Sequence, residues 1–181
     1  MRAERPRRMG KTTDSAISAA REAIRAFNTR DPFRIAEEKG ITVLPREGFK
    51  LQKGAFTVIL GSPFIILNSN LCEEEIKIVC AHELGHALLH ADAAQNGALC
   101  EFDLFNMATS MEYEANVFAS ELLIDDRELK ELLASGADVY SAAKALNVCV
   151  NLLLIKLAEK NRRGGKYRLP YLPDKGFMGG K

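Results

Sequence analysis

The chain has 181 residues, a formal net charge of +1 and a hydrophobic fraction of 47%, which fits one globular domain with short appendages. So small a net charge provides no global field that would favour nucleic acid or an anionic membrane. No apolar run approaches the roughly 18 residues of a membrane span. The basic N-terminus is not followed by the apolar segment of a secretory signal. We therefore expect a cytoplasmic protein whose four cysteines are reduced thiols.

Both ends of the chain differ in composition from its middle. Residues 1–11 hold five Arg and Lys side chains against one Glu. We expect residues 1–13 to form a basic, flexible arm rather than a nucleic-acid contact. At the other end, two Gly-Gly pairs and two prolines predict that residues 164–181 form a flexible tail. Residues 14–163 form the predicted domain.

Two helices are predicted at the start of this domain. Asp14 is the expected N-cap of a helix that runs to Asn28 with an apolar stripe on one face. Asp31-Pro32 opens a second, shorter helix, with an N-cap followed by proline at the first helical position. Gly40 is expected to end it.

Three strands are predicted to follow. The first covers residues 41–44 and is ended by Pro45, and the second covers residues 55–60. After a turn at residues 61–63, the third covers residues 64–68. The third strand is almost continuously apolar, so we expect it at the centre of the sheet.

The second half of the predicted domain is helical. A helix is expected over residues 73–90, and residues 91–108 are expected to form a loop because they lack a clear period. Asp125 is the predicted N-cap of one of the later helices. These later helices are expected over residues 110–124, 125–134, 138–146 and 150–162. The predicted fold is therefore α+β, with a small, mostly three-stranded sheet packed against a helical bundle.

The helix at residues 73–90 carries the sequence His-Glu-Leu-Gly-His at residues 82–86. Side chains four residues apart share one face of a helix, so His82 and His86 can bind one metal ion. Glu83 then lies beside the open ligand position, where it suits the role of catalytic general base toward a metal-activated water. The chain has only three histidines, so this spacing is hard to attribute to chance.

A catalytic zinc site needs a third protein ligand. His90 continues the helical series, but the eight residues that separate it from His82 correspond to a rise of about 12 Å, too far for one ion. We therefore interpret His90 as a helix-end residue. The remaining candidates are two carboxylates of the following helix, Glu112 and Glu114.

Glu112 is the preferred third ligand and Glu114 the less favoured one. At about 100° per residue, Glu112 lies nearer to the apolar stripe that should face the motif helix. Asn116 is on the same face as Glu112 and is therefore expected to support a metal-bound imidazole. One alternative stays open, in which Thr109 and Glu112 form a capping box and the carboxylate turns back to its own backbone. Zn²⁺ is the expected metal, and a site of two histidines and a glutamate also accepts Mn²⁺.

With these motifs the chain resembles the ImmA/IrrE-type zinc metallopeptidases over residues 20–160. The resemblance rests on residues 82–90 and on Glu112-x-Glu114-Ala115-Asn116-x-Phe118-Ala119, with support from residues 35–43 and 65–68. It implies a zincin-like fold in which Glu112 binds the metal and Asn116 supports a ligand histidine. The family commonly has Met-Pro where this chain has Ile124-Asp125, so a local change is expected at that junction.

The resemblance also implies a partner. Members of the family cleave a regulatory protein, often a phage or mobile-element repressor with a helix-turn-helix head, and other members act in stress responses. A protein substrate of this kind is therefore expected. The residues do not rank Tyr113 and His90, the two candidate donors to the oxyanion of a peptidase reaction.

Two other classes of function stay open. Residues 142–148 and the helix after them have the outline of a helix-turn-helix, but residues 150–157 are too apolar for a recognition helix, which disfavours nucleic-acid binding. The other class is a metal-holding module that masks a repressor without cutting it. Such a module would have no need of Glu83.

Overall fold

The computed structural model describes residues 9–48, 52–91 and 108–173. In these residues, seven helices and a three-stranded sheet form an α+β fold, which confirms the predicted fold class. In chain order the elements are α1 (Met9–Phe27), α2 (Pro32–Glu38), β1 (Thr42–Arg46), β2 (Gly54–Ile59), β3 (Ser62–Asn68), α3 (Glu73–Leu89), α4 (Ala108–Leu123), α5 (Asp126–Ala134), α6 (Val139–Ala145) and α7 (Val150–Arg162).

The first helix begins before its predicted start. The chain is already helical at Met9, so Asp14 lies inside α1 and the prediction that it caps the helix is wrong. Asp14 instead pairs with Arg162 and Arg163 at the end of α7. Hydrogen bonds from these two guanidinium groups hold the pKa of the Asp14 carboxyl below its usual range. Residues 9–13, which the charge pattern assigned to the arm, are therefore helical, and residues 1–8 lie outside the described part of the chain.

Two predicted helix caps are confirmed. The Asp31 carboxylate accepts a hydrogen bond from the Phe33 N–H, 3.0 Å away. Gly40 follows α2 with a φ of +69°, a conformation that glycine adopts at little cost and that ends the helix. Asp125 accepts two backbone hydrogen bonds from the first turn of α5. It thereby separates α4 from α5 at the junction where the sequence departs from the pattern of the family it resembles.

Strand β3 is at the centre of the sheet, as its apolar sequence predicts. It pairs antiparallel with β2 and parallel with β1. Strand β1 continues through Pro45, so the prediction that this proline ends the strand is wrong. The Arg46 carbonyl accepts a hydrogen bond from the Ser69 N–H. The backbone of the neighbouring Pro45 therefore faces the open edge of the sheet, where a missing N–H is tolerated.

The hairpin between β2 and β3 turns one residue earlier than predicted. Leu60 and Gly61 form the turn, with φ angles of +50° and +80°, and Ser62 and Pro63 already belong to β3. Two successive positive φ angles are typical of the type I′ turn, whose twist matches that of a hairpin. Leucine is rarely found in that conformation, so the sequence pointed to the following Gly-Ser-Pro instead.

The hydrophobic core lies between the sheet and the helices, and α3 crosses its centre. This helix packs against α1, α2 and α4 and against strands β2 and β3, and residues 78–86 are all buried. Helix α7 adds a second apolar layer with residues 152–155 and Leu157. Its interpretation as a core helix is thus confirmed, and these apolar side chains are not available to a DNA groove.

No single helix of the described residues is long and apolar enough to cross a membrane. Helices α6 and α7 meet at 111° and satisfy such a test only as a bent pair, on length and composition alone.

Two segments predicted to be irregular are described only in part. Of the predicted loop, residues 92–107 lie outside the described residues. Of the predicted tail, residues 164–173 are described, and Tyr167 and Leu169 pack against the core. The Asn161 side chain exchanges two hydrogen bonds with the backbone of Tyr167, so the start of the tail is held against α7.

Candidate metal centre

The candidate site is built by α3 and α4, which pack closely against each other. His82 in the second half of α3 contacts Asn116 of α4, and His90 at the end of α3 contacts Glu114 of α4. Gly85 allows the close approach of the two helices. A Cβ atom at Gly85 would lie 3.1 Å from the Cα of Ala115, tighter than ordinary van der Waals contact, so any side chain there would push the helices apart.

His82, His86 and Glu112 converge on one point between these helices. The Nε2 atoms of the two imidazoles are 3.1 Å apart. The Glu112 carboxylate oxygens lie 3.1 Å from His82 Nε2 and 3.3 Å from His86 Nε2. Atoms that bind a tetrahedral zinc ion at about 2.0–2.1 Å are themselves about 3.3 Å apart. The spacing of the three donors therefore fits one ion of this size.

The electrostatic state of Glu112 also fits a metal ligand. Burial raises the pKa of Glu112, but imidazoles of His82 and His86 that carry a proton on Nε2 more than offset this and hold it well below its usual range. The Oε2 atom of Glu112 is buried and makes no well-formed hydrogen bond among the described residues, although it lies 3.1 Å from His82 Nε2. A buried carboxylate oxygen in this state suits a bound cation. Because the carboxylate faces the imidazoles and not its own backbone, the capping-box alternative with Thr109 is wrong.

The His82 ring is held at the nitrogen that points away from the cluster. His82 Nδ1 lies 3.0 Å from Oδ1 of Asn116, a fully buried side chain. An amide oxygen can only accept, so His82 Nδ1 carries the proton and Nε2 keeps its lone pair for a metal. Asn116 thus lies where the sequence predicts a supporting residue.

Glu114 and His90 lie outside the cluster; His90 contacts its other histidine, His86, and Glu114 contacts His90. His90 is the C-cap of α3, which confirms its interpretation as a helix-end residue. Its Nδ1 lies 3.1 Å from Nδ1 of His86, and its Nε2 lies 3.2 Å from Oε2 of Glu114. Glu114 Oε1 accepts a hydrogen bond of 3.0 Å from the Ser110 hydroxyl.

Sequence reasoning missed this second set of contacts. The only local signal is spacing, because residues 86 and 90, like residues 110 and 114, are one helical turn apart. The contact between His90 and Glu114 joins two helices across 24 positions of the chain, and no local pattern reports it.

Glu83 lies beside the cluster and against the sheet. The backbone of Phe56 in β2 lies near its carboxylate and favours the ionised form, and a Cβ atom on Gly54 would lie 3.2 Å from its Oε1. Burial raises the pKa of Glu83 to about 7, and Glu112 adds to the rise while His86 and the Phe56 backbone oppose it. A carboxyl group with this pKa can both take up and release a proton near neutral pH.

The two candidate donors to an oxyanion are engaged elsewhere. The Tyr113 hydroxyl donates a hydrogen bond of 3.0 Å to Glu159 of α7. His90 contacts the Nδ1 edge of His86, whereas the cluster is on the Nε2 edge. Neither side chain faces the point where the three donors converge.

Comparison with known proteins assigns these elements to one family. The model of the IrrE N-terminal-like domain, Peptidase_M78, matches residues 36–158. The chain belongs to this family. The Peptidase_M78 match spans the sheet, α3 and α4, and so includes every side chain around the cluster. It confirms the resemblance inferred from the motifs, and with it the assignment to a family of peptidases.

A phage protein is also similar. The chain is 36% identical to the "Uncharacterized immunity region protein 2" of Bacillus phage phi105 over 109 residues, which are 60% of this chain and 68% of the phage protein.

Proposed function

We propose that the protein is a zinc-dependent metallo-endopeptidase that cleaves a regulatory protein, such as a helix-turn-helix repressor of a phage or mobile element. The convergence of His82, His86 and Glu112 on one point, with Glu83 beside it, carries this proposal. Membership of a peptidase family supports the reaction class. The similar phage protein is named for an immunity region, and repressors are the proteins that maintain phage immunity, which supports the substrate class.

In this proposal His82, His86 and Glu112 hold the ion. When bound, zinc lowers the pKa of a coordinated water toward about 7 and polarises a carbonyl group. Mn²⁺ suits the same set of nitrogen and oxygen donors. The side chains of His82 and His86 are 3% and 9% exposed, whereas the Glu112 side chain is 28% exposed. A peptide would therefore reach the site from the Glu112 side.

Glu83 is the proposed general base and acid. It takes the proton of the attacking water and returns it to the leaving amine, so its two protonation states must be close in free energy. In the metal-free protein, burial raises the pKa of Glu83 from 4.5 to about 7, which makes it a stronger base than an ordinary carboxylate.

The test separates binding from cleavage. A zinc-loaded Glu83→Gln variant is used to capture a protein partner, and the partner is then incubated with wild type or with the variant. Mass spectrometry of the partner reports new termini. We expect cleavage by wild type, none by Glu83→Gln despite one bound zinc, and none by wild type after chelation. Glu73→Gln, an exposed carboxyl of the same helix, is the matched control and should cleave normally.

The contrary outcomes are distinct. Full cleavage by Glu83→Gln would refute the role of this carboxyl, and cleavage by metal-free protein would refute the metal site. Metal-dependent binding of an intact partner, with no new termini under any condition, would favour the masking module over the peptidase.

A further inference from the structure

We propose that Glu114 and His90 act together as positioning residues for His86. A relay of hydrogen bonds from His86 through His90 to Glu114 fixes His86 in the tautomer that presents Nε2 to the metal. The inference rests on the metal site of the proposed function, but it concerns the binding of the ion and not the cleavage of a peptide.

An unbroken series of side-chain contacts forms the relay. Its three contacts are His86 Nδ1 to His90 Nδ1 at 3.1 Å, His90 Nε2 to Glu114 Oε2 at 3.2 Å, and Ser110 Oγ to Glu114 Oε1 at 3.0 Å. The side chains of His90 and Glu114 are only 8% and 13% exposed. Water therefore competes little for these contacts, and each proton has a defined partner.

The positions of the protons follow from the acceptor at the end of the relay. An ionised Glu114 can only accept, so His90 Nε2 carries a proton and donates it. A neutral His90 then has a lone pair on Nδ1, which accepts a hydrogen bond from the Nδ1–H of His86. His86 Nε2 is left without a proton on the edge of the ring that faces Glu112 and His82, as a metal ligand requires.

The opposite order of protons is incompatible with metal binding. If His90 were protonated at Nδ1, it would donate to His86 Nδ1, and a neutral His86 would carry its proton on Nε2. That proton would point at His82 Nε2, 3.1 Å away, and would block the site. The Glu114 carboxylate disfavours this arrangement, because a neutral His90 protonated at Nδ1 has no proton on Nε2 to donate to it.

The two ligand histidines are therefore supported differently. His82 donates to the neutral amide of Asn116, whereas His86 donates through an imidazole to a carboxylate. Partners of this kind typically change metal affinity by 10- to 100-fold. The charge of Glu114, and not only its shape, should contribute to zinc binding.

The first test reads the tautomers directly. The chain has three histidines, and all three are in this site, so a long-range ¹H–¹⁵N spectrum of the zinc-loaded protein contains three imidazoles. We expect His82 and His86 to be protonated at Nδ1 and His90 to be protonated at Nε2. A His90→Gln variant assigns the third imidazole by its loss. A His90 protonated at Nδ1 would overturn the relay.

The second test separates charge from shape. Glu114→Gln keeps the size and an acceptor oxygen but removes the charge, and should raise the zinc Kd about 10-fold in competition with a chromophoric chelator. The Tm of the metal-free variant should be unchanged. Glu159→Gln, a buried carboxyl of α7 that bonds Tyr113 and Arg162, is the matched control and should leave the zinc Kd unchanged. An unchanged Kd in Glu114→Gln, or an equal loss in Glu159→Gln, would overturn the proposal.

The outcome of these two tests is independent of whether the protein is a peptidase. A protein that shows the expected tautomers and zinc affinities but cleaves nothing would refute the peptidase and leave the relay standing. A protein that cleaves its partner with His90 protonated at Nδ1 would refute only the relay.

Discussion

Replacing Glu83 with glutamine should make the metal-free protein more stable at alkaline pH. Burial is the main reason that the pKa of Glu83 rises from 4.5 to about 7, so the folded protein holds this proton more tightly than the unfolded chain does. Each pKa unit corresponds to about 1.4 kcal/mol. The ionised Glu83 therefore lowers the free energy of unfolding by about 3 kcal/mol, a cost that glutamine of nearly the same shape avoids.

The pH dependence has a definite sign. Between pH 4.5 and about 7 the Glu83 carboxyl is ionised in the unfolded chain and protonated in the folded protein. The unfolded state binds fewer protons over this window, so the contribution of Glu83 to stability falls as the pH rises and is lowest above pH 7. The advantage of Glu83→Gln over wild type should thus be small near pH 4.5 and largest above pH 7.

Urea denaturation in the presence of a chelator, from pH 5 to pH 8.5, measures this difference. The test uses the change of the difference with pH, because any fixed effect of the glutamine amide is the same at every pH. Glu73→Gln on the exposed face of the same helix should differ from wild type by less than about 0.5 kcal/mol throughout. A difference between Glu83→Gln and wild type that stays constant with pH, or that shrinks toward pH 8.5, would refute the reasoning.

Three further predictions concern packing, charge and metal. Gly85→Ala should lower the free energy of unfolding, measured by urea denaturation, by about 1–3 kcal/mol. The reason is that the added Cβ would lie 3.1 Å from the Ala115 backbone. A variant more stable than wild type would show that the higher helix propensity of alanine outweighs this close contact. Lys156 is 2% exposed and pairs with the buried Glu121, so Lys156→Met should cost about 3 kcal/mol. Lys160→Met, at a more exposed ion pair, should cost less than about 1 kcal/mol, and equal losses would contradict the role of burial. Chelation should lower the Tm by about 5–10 °C relative to protein in zinc at about 100 times its Kd, and an unchanged Tm would mean that no ion binds the folded state.

Local sequence patterns were sufficient for much of the fold. The order of helices and strands follows from apolar periodicity and from caps such as Asp31 and Asp125, whose hydrogen bonds stay within one turn. The central place of β3 agrees with its apolar run, which is typical of a strand in the middle of a sheet. Helical geometry favours Glu112 over Glu114 as the third ligand, because Glu112 lies nearer to the apolar stripe of its helix, and in the structure its carboxylate lies beside His82 and His86.

The predictions that failed depend on partners far along the chain. Asp14 is a good capping residue by type, but α1 already begins at Met9, and Asp14 instead pairs with Arg162 and Arg163, 148 and 149 positions away. Pro45 is tolerated within β1 only because β1 is an edge strand. The relay from His86 to Glu114 also requires that two helices meet, and no local pattern contains that information.

The three candidate metal ligands, and the side chains that support His82 and His86, all belong to α3, to its C-cap or to α4. If α4 slid along α3 by the rise of a single residue, about 1.5 Å, Glu112, Glu114 and Asn116 would all leave their histidines in the same movement. Metal binding at this site would therefore depend on the relative position of the two helices. A displacement of one helix along the other would weaken metal binding and, with it, any activity that needs the metal.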